Sequence, residues 1–213
     1  MQKNICYVVG AGENCGIDFK PQQGDYVIAA DGGWKYLEEA GIPTDLIIGD
    51  FDSLQEKPHH RNVITLKKEK DETDSFSAVK KGIEGGYSCF HLYGCTGGRI
   101  DHTLANIQLL AYLSKRDMQG LLFDNNTIMT AITDKVITFP SCDSGYVSVF
   151  SYSEKSEGIY LDGLKYKLDD ATVTYDYSVG VSNEFVGKPS TITVREGTII
   201  VVYPRGLEIE SIS

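Results

Sequence analysis

The chain has 213 residues with an apolar share of 41%, enough for one large domain or two small ones with a real core, and too apolar for wholesale disorder. A formal net charge of −10 argues against a nucleic-acid partner, which would want a basic face, but leaves a phosphate ligand open, because a bound divalent cation reverses the local field. No apolar run reaches membrane-spanning length and no secretory leader is recognisable, and the five cysteines form no CxxC pair, so reduced thiols in a cytoplasmic protein that contacts no membrane are expected.

Ile5 to Val9 reads as a first short strand, followed by a glycine-rich loop from Gly10 to Gly16. Asp31 lies about twenty residues further on, where a dinucleotide-binding fingerprint places its acid. That reading suggests a nicotinamide-dependent dehydrogenase. The glycine spacing is one residue too long for it, however, and Pro21 and Gly24 leave little room for a crossover helix. Tyr26 to Ala30 is the second strand, ending at Asp31-Gly32-Gly33. A helix from about Trp34 to Ala40 is stopped by Gly41 and Pro43. Leu46, Ile47 and Ile48 form a continuous apolar run, as in a strand buried on both faces of a parallel sheet. Gly49 then breaks the run, and Asp50 and Asp52 follow. Extended backbone would point both carboxylates the same way, and such a pair suits magnesium. The alternative is a solvated turn in which Asp52 or Ser53 caps a helix.

His59 and His60 read as a solvated loop, and Val63 to Leu66 as a fourth strand. Asp71 and Asp74 open a helix whose core face is expected to carry Phe76, Val79 and Ile83; both acids could simply be caps. Cys89 to Tyr93 is a fifth strand. It leads into Gly94-Cys95-Thr96-Gly97-Gly98-Arg99, a glycine turn opening a helix and so a ready anion site, with Arg99 able to offer a bidentate fork to phosphate. Asp101 can cap that helix or bind a ribose or a metal, and His102 reads as a helix residue. Leu104, Ile107, Leu110 and Leu113 form the helix's expected apolar stripe. From about Gly120 to Asn126 the character changes to β-branched and aromatic segments cut by short turns, including Gly145 to Tyr152, Thr172 to Tyr177, Thr191 to Arg195 and Thr198 to Tyr203. The expected architecture is therefore a Rossmann-like α/β domain with a mostly parallel sheet over 1–124, then an antiparallel β-sandwich over 125–213.

In chain order the motifs are Asp31-Gly32-Gly33, Gly49-Asp50-Phe51-Asp52-Ser53, Asp71-Glu72-Thr73-Asp74 and Gly97-Gly98-Arg99-Ile100-Asp101-His102, with Ser182-Asn183-Glu184-Phe185 in the β-rich half. Together they resemble the thiamine pyrophosphokinase family along the whole chain. The resemblance implies transfer of a pyrophosphoryl group from ATP to the hydroxyethyl oxygen of thiamine, and a homodimer with active sites at the subunit interface. It implies that Asp50, Asp52 and Asp74 hold magnesium and that Asp31, Arg99 and Asp101 position the nucleotide and its phosphates. Gly32, Thr96, Gly97, Gly98 and His102 would surround that nucleotide, and Ser182 and Asn183 would contact thiamine. Some relatives stack the thiamine ring on a tryptophan of the second domain; the only tryptophan here, Trp34, lies in the first.

Overall fold

The computed structural model describes residues 4–51, 58–67, 69 and 71–213. The chain forms two compact units, one of Met1–Leu109 with Met118–Asn125, the other of Leu110–Asp117 with Asn126–Ser213.

In the first unit the strands are β1 (Cys6–Val9), β2 (Tyr26–Ala30), β3 (Leu46–Gly49), β4 (Val63–Thr65), β5 (Cys89–Tyr93) and β6 (Gln119–Phe123). They pair in the order β6-β5-β1-β2-β3-β4, every neighbour parallel. Val8, Ile28, Ile48, Phe90 and Leu92 are almost fully buried, as the apolar runs predict for strands covered on both faces. The order runs outward from β1 to β4, then returns to β5 on the other side of β1. The sheet therefore has a topological switch point between β1 and β5, where open α/β sheets bind ligands. Strand β6 departs from the expectation that the character changes from about Gly120 to Asn126: Gln119–Phe123 pairs with β5 and adds a sixth parallel strand.

The helices are α1 (Trp34–Glu39), α2 (Asp74–Glu84) and α3 (Ile100–Ser114). No helix lies in the crossover between β1 and β2. Its place on the sheet is taken by a closed circuit of rings. Tyr7 stacks on Phe19 at 3.9 Å and Phe19 meets Tyr93 at 5.0 Å. Tyr93 stacks on Phe123 at 4.3 Å, Phe123 meets His91 at 5.2 Å, and His91 returns to Tyr7 at 5.5 Å. Two helix faces differ from expectation. On α2 the fully buried residues are Ala78, Val79 and Gly82, with Phe76 and Ile83 at the flanks. The small residues let the helix approach: a Cβ on Gly82 would lie 2.6 Å from the Phe90 ring and 2.7 Å from Cys6 Sγ. On α3 the buried stripe runs through Asn106, Leu109, Leu110 and Leu113, while Leu104 is 57% exposed.

The second unit holds two antiparallel sheets. The strands are β7 (Thr127–Thr133), β8 (Val136–Cys142), β9 (Tyr146–Ser151), β10 (Lys155–Asp162), β11 (Leu168–Thr174), β12 (Asn183–Glu184), β13 (Lys188–Glu196), β14 (Thr198–Pro204) and β15 (Ser211–Ile212). One sheet is ordered β12-β9-β14-β7, the other β11-β10-β13-β8-β15. Alternate residues such as Val147 and Val149, Ile192 and Val194, and Ile199 and Val201 turn inward. Phe139 of β8 meets Tyr203 of β14 at 5.0 Å, so the sheets close on a shared core as the sandwich expectation requires.

Candidate active site

The parallel strands of the first unit end on one rim, and the sequence places glycines and acids there. A cleft of about 630 Å³ opens at the switch point. After β1 it is lined by Ala11, Gly12 and Glu13, and after β2 by Asp31. Asp74 and Ser75 open α2 into it, the turn from Gly94 to Arg99 forms its floor after β5, and His102 and Asn106 face it from α3.

Backbone packing explains the glycines. The Gly10 N–H donates to Tyr93 O at 2.8 Å, Gly12 N–H to Gly94 O at 2.7 Å, and Glu13 N–H to Thr96 O at 2.8 Å. The two loops are thus laced together beyond the ends of their strands. A Cβ on Gly12 would meet Thr96 O at 2.5 Å, and one on Gly10 would meet Gly94 O at 2.6 Å. The pattern that suggested a pyrophosphate fingerprint is a loop-to-loop seam, and the helix such a fingerprint needs is absent between Gly10 and Asp25.

Asp31 sits at a left-handed φ of 49° at the head of a single 3-10 turn, Asp31–Gly33, with its Oδ1 buried. The turn is wedged under the loops: a Cβ on Gly33 would lie 2.0 Å from Val9 O, and one on Gly49 would lie 2.9 Å from Asp31 Cα. Asp50 follows Gly49 on the neighbouring strand, so it belongs to the same rim. The extended backbone expected from Asp50 through Phe51 is not observed. Phe51 has φ 58° and a ring only 3% exposed, because burying that ring turns the chain under the rim. Asp52 lies outside the described residues. Among the described residues, no three His, Cys, Asp or Glu side chains converge as a ready-made metal site.

The α2 cap is neither expected acid. Thr73 Oγ1 accepts the Phe76 N–H at 3.2 Å, which leaves Asp74 lining the cleft from the first turn. Below the floor, Thr96 Oγ1 donates to Asp124 Oδ1 at 2.6 Å and Asn106 Nδ2 donates to Cys95 O at 2.8 Å. Tyr36 Oη braces the other loop by donating to Gly12 O at 2.8 Å. Gly97 and Gly98 have φ of 74° and 58°, a turn that L side chains resist, and they deliver the chain into α3. Arg99 grips Asp101 with Nε to Oδ1 at 3.2 Å and NH2 to Oδ2 at 2.5 Å, and Asp101 Oδ1 accepts the His102 N–H at 3.1 Å. The guanidinium holds the Asp101 carboxyl below the usual carboxylate range. Desolvation pushes the buried Cys95 thiol up to about 11, so it is no nucleophile near neutral pH.

Of the residues singled out from the sequence, Asp31, Asp74, Thr96, Gly97, Gly98, Arg99 and His102 line one cleft, and Asp101 is paired to Arg99 beside it. Gly32 is buried within the 3-10 turn. Glu13, Ser75 and Asn106 also line the cleft and are not among the residues singled out from the sequence. Asn106 follows His102 by four residues, so it shares its helix face, and that spacing was a usable signal.

Ser182 and Asn183 belong to the second unit. Ser182 has φ 57°, and its N–H donates to Ser148 Oγ at 3.0 Å. Asn183 is 2% exposed. Its Oδ1 accepts the N–H of Tyr166 and of Glu184, each at 2.9 Å, and its Nδ2 donates to Tyr166 O at 2.6 Å.

Two family models match the chain: "Thiamin pyrophosphokinase, catalytic domain" over residues 21–122, and "Thiamin pyrophosphokinase, vitamin B1 binding domain" over 135–199. A thiamine pyrophosphokinase of Bacillus subtilis is 29% identical over 209 residues, which cover 94% of this chain and 98% of that one. The crystal structure of a B. subtilis thiamine pyrophosphokinase superposes with a TM-score of 0.84 at 27% identity, covering 96% of this chain and all of the other. That of a thiamin pyrophosphokinase family protein from Enterococcus faecalis gives 0.83 at 28% identity, covering 95% and 99%.

Proposed function

This chain belongs to the thiamin pyrophosphokinase family, and we propose that it is a thiamine diphosphokinase, transferring a pyrophosphoryl group from ATP to the hydroxyethyl oxygen of thiamine to give thiamine pyrophosphate and AMP. The observation that carries the reading in the molecule itself is the rim. Asp31, Asp74 and the Gly94–Arg99 turn share one cleft at the switch point, and Asp50 directly follows the end of the strand next to that of Asp31.

The thiamine oxygen attacks the β-phosphorus of ATP. The bond from that phosphorus to the oxygen bridging the α- and β-phosphates breaks, AMP leaves with the electron pair, and the hydroxyl proton passes to a carboxylate, for which Asp74 and Asp101 are the candidates. Such a transfer asks the protein for alignment and charge neutralisation more than for covalent chemistry. Arg99 is held outside the core by an exposed pair with Asp101, so a phosphate can exchange into its fork without exposing a buried charge. The Gly97–Gly98 turn brings backbone amides up to the same phosphates at the start of α3.

The donor chemistry suits magnesium. The rim offers hard carboxylate oxygens, and the one thiol lining the cleft, Cys95, is buried and neutral. Asp50, Asp52 and Asp74 would hold the ion, which when bound neutralises charge on the triphosphate. Ser182 and Asn183 would form the thiamine side. A homodimer is part of the proposal; Ile100, Leu104, Tyr146 and Phe150, all 40% or more exposed, are apolar surface that a second copy could cover. Its check is sedimentation, where a monomer at every concentration would remove that part. We place the enzyme in the cytoplasm on its thiols, none of which forms a disulfide among the described residues. No helix among them is long and apolar enough to cross a membrane.

A coupled assay for AMP tests the activity. AMP should appear only when ATP, magnesium and thiamine are all present; AMP production indifferent to thiamine would reject the reading.

A further inference from the structure

We infer that Asn106 is a positioning residue for nucleotide binding: by holding Cys95 O it fixes the polarity of the turn after β5, so that the Thr96 and Gly97 N–H groups are kept for the phosphate oxygens of ATP. The inference rests on the reading that ATP is the donor.

A turn can receive an anion only if its peptide groups present N–H and not C=O. In a trans peptide the two point in opposite directions, so tying down a carbonyl aims the following amide the other way. Three successive carbonyls of this turn are tied down. Gly94 O accepts the Gly12 N–H at 2.7 Å and Thr96 O accepts the Glu13 N–H at 2.8 Å, both from the loop after β1. Cys95 O, between them, accepts Asn106 Nδ2 at 2.8 Å and is the one of the three held by a side chain. The opposite edges of the Cys95 and Thr96 peptide planes carry the N–H groups of Thr96 and Gly97, in residues that line the cleft. Among the described residues neither N–H finds an acceptor within the protein. Thr96 is only 4% exposed, and a buried N–H without a partner is costly unless a ligand supplies one.

Asn106 suits this task. It is itself 4% exposed, it projects from the second turn of α3, and its amide is neutral, so it orients the carbonyl without adding charge beside a polyphosphate. The turn needs such a restraint. Gly94, Gly97 and Gly98 all have left-handed φ, and glycine-rich backbone has other settings within reach. With Cys95 O released, that carbonyl could swing toward the phosphates and repel them, and the Thr96 N–H would be lost to the site.

The first arm of the test uses wild type alone. Amide proton–nitrogen correlation spectra, recorded as ATP and magnesium are added without thiamine, should show the Thr96 and Gly97 amide protons moving downfield. The Asn106 side-chain amide should exchange slowly with solvent throughout. ATP that leaves both backbone amides unmoved, or that releases the Asn106 amide to fast exchange, overturns the inference. The second arm titrates ATP and magnesium calorimetrically into wild type, Asn106→Leu and Asn106→Asp. Leucine keeps the branching and removes the donor; a carboxylate has no donor either, but a protonated carboxyl has one. One hydrogen bond to a charged group corresponds to about 10-fold or more in affinity, so near pH 8 both variants should raise the ATP Kd about 10-fold, with the thiamine KM near wild type. Burial raises a carboxyl pKa, so near pH 5.5 the Kd of Asn106→Asp, taken relative to wild type at the same pH, should fall back while that of Asn106→Leu does not. An ATP Kd within about twofold of wild type in both variants overturns the positioning role. So does an equal rise in the thiamine KM, or an Asn106→Asp that recovers no better than Asn106→Leu. If either variant fails to fold, the wild-type spectra decide. Amide shifts and weakened ATP binding as expected, in a protein that releases no AMP when thiamine is added, support the inference and reject the proposed reaction.

Discussion

Asp74 and Gly33 separate chemistry from scaffolding within one rim. Asp74 lines the cleft while Thr73 does the capping, so its carboxylate can change without loss of the helix start. Asp74→Asn should lower kcat by orders of magnitude and leave the unfolding free energy within about 0.5 kcal/mol of wild type, the usual range for a surface change. Near-normal turnover in that variant would remove Asp74 from the reaction. Gly33 has the opposite profile. A methyl there would lie 2.0 Å from Val9 O, a backbone atom that cannot step aside without moving β1. Gly33→Ala should destabilise the protein by more than the common 1 kcal/mol of a point change, read as a fall in urea midpoint. Legibility at this scale was uneven. Acid and glycine identities were plain in the sequence, but the left-handed turn at Phe51 was not, because nothing local says that this ring is buried beneath the rim.

Elements were legible where periodicity was strong and obscure where neighbours decided the outcome. The runs at Tyr26–Ala30 and Cys89–Tyr93 stand as strands with the expected bounds. Strand β6 was missed because five residues beginning Gln-Gly look like a turn until β5 supplies a partner. The α2 face was misjudged because a periodicity count weighs large apolar residues, whereas close approach selects Ala78 and Gly82. Gly82 gives a prediction whose sign tests this account. In an exposed helix, Gly→Ala stabilises by about 1 kcal/mol. Here the new methyl would meet Phe90 and Cys6, so Gly82→Ala should instead cost about 1–3 kcal/mol in denaturant unfolding. Thr73→Ala, at the head of the same helix, should cost about 1 kcal/mol through loss of the cap.

For the whole molecule, the ring circuit around His91 predicts an acid-sensitive stability. Desolvation lowers the His91 pKa from 6.5 to about 4, against a smaller opposing pull from Asp25. The unfolded chain therefore takes up this proton first as the pH falls. His91 contributes stability that is complete above pH 6.5 and is lost progressively down to about pH 4, up to about 3 kcal/mol in all. Urea midpoints at pH 7 and pH 4.5 should show the fall, and His91→Gln should flatten it; an equally steep fall in the variant would assign the effect elsewhere. The crossover that reaches this circuit from Gly10 has a further consequence. It carries one wall of the cleft on isolated main-chain bonds, with no helical ladder behind them. In deuterium oxide, the amides of Gly10, Gly12 and Glu13 should be islands of slow isotope uptake in a quickly labelled stretch, and a nucleotide settling against that wall should darken the gaps between them.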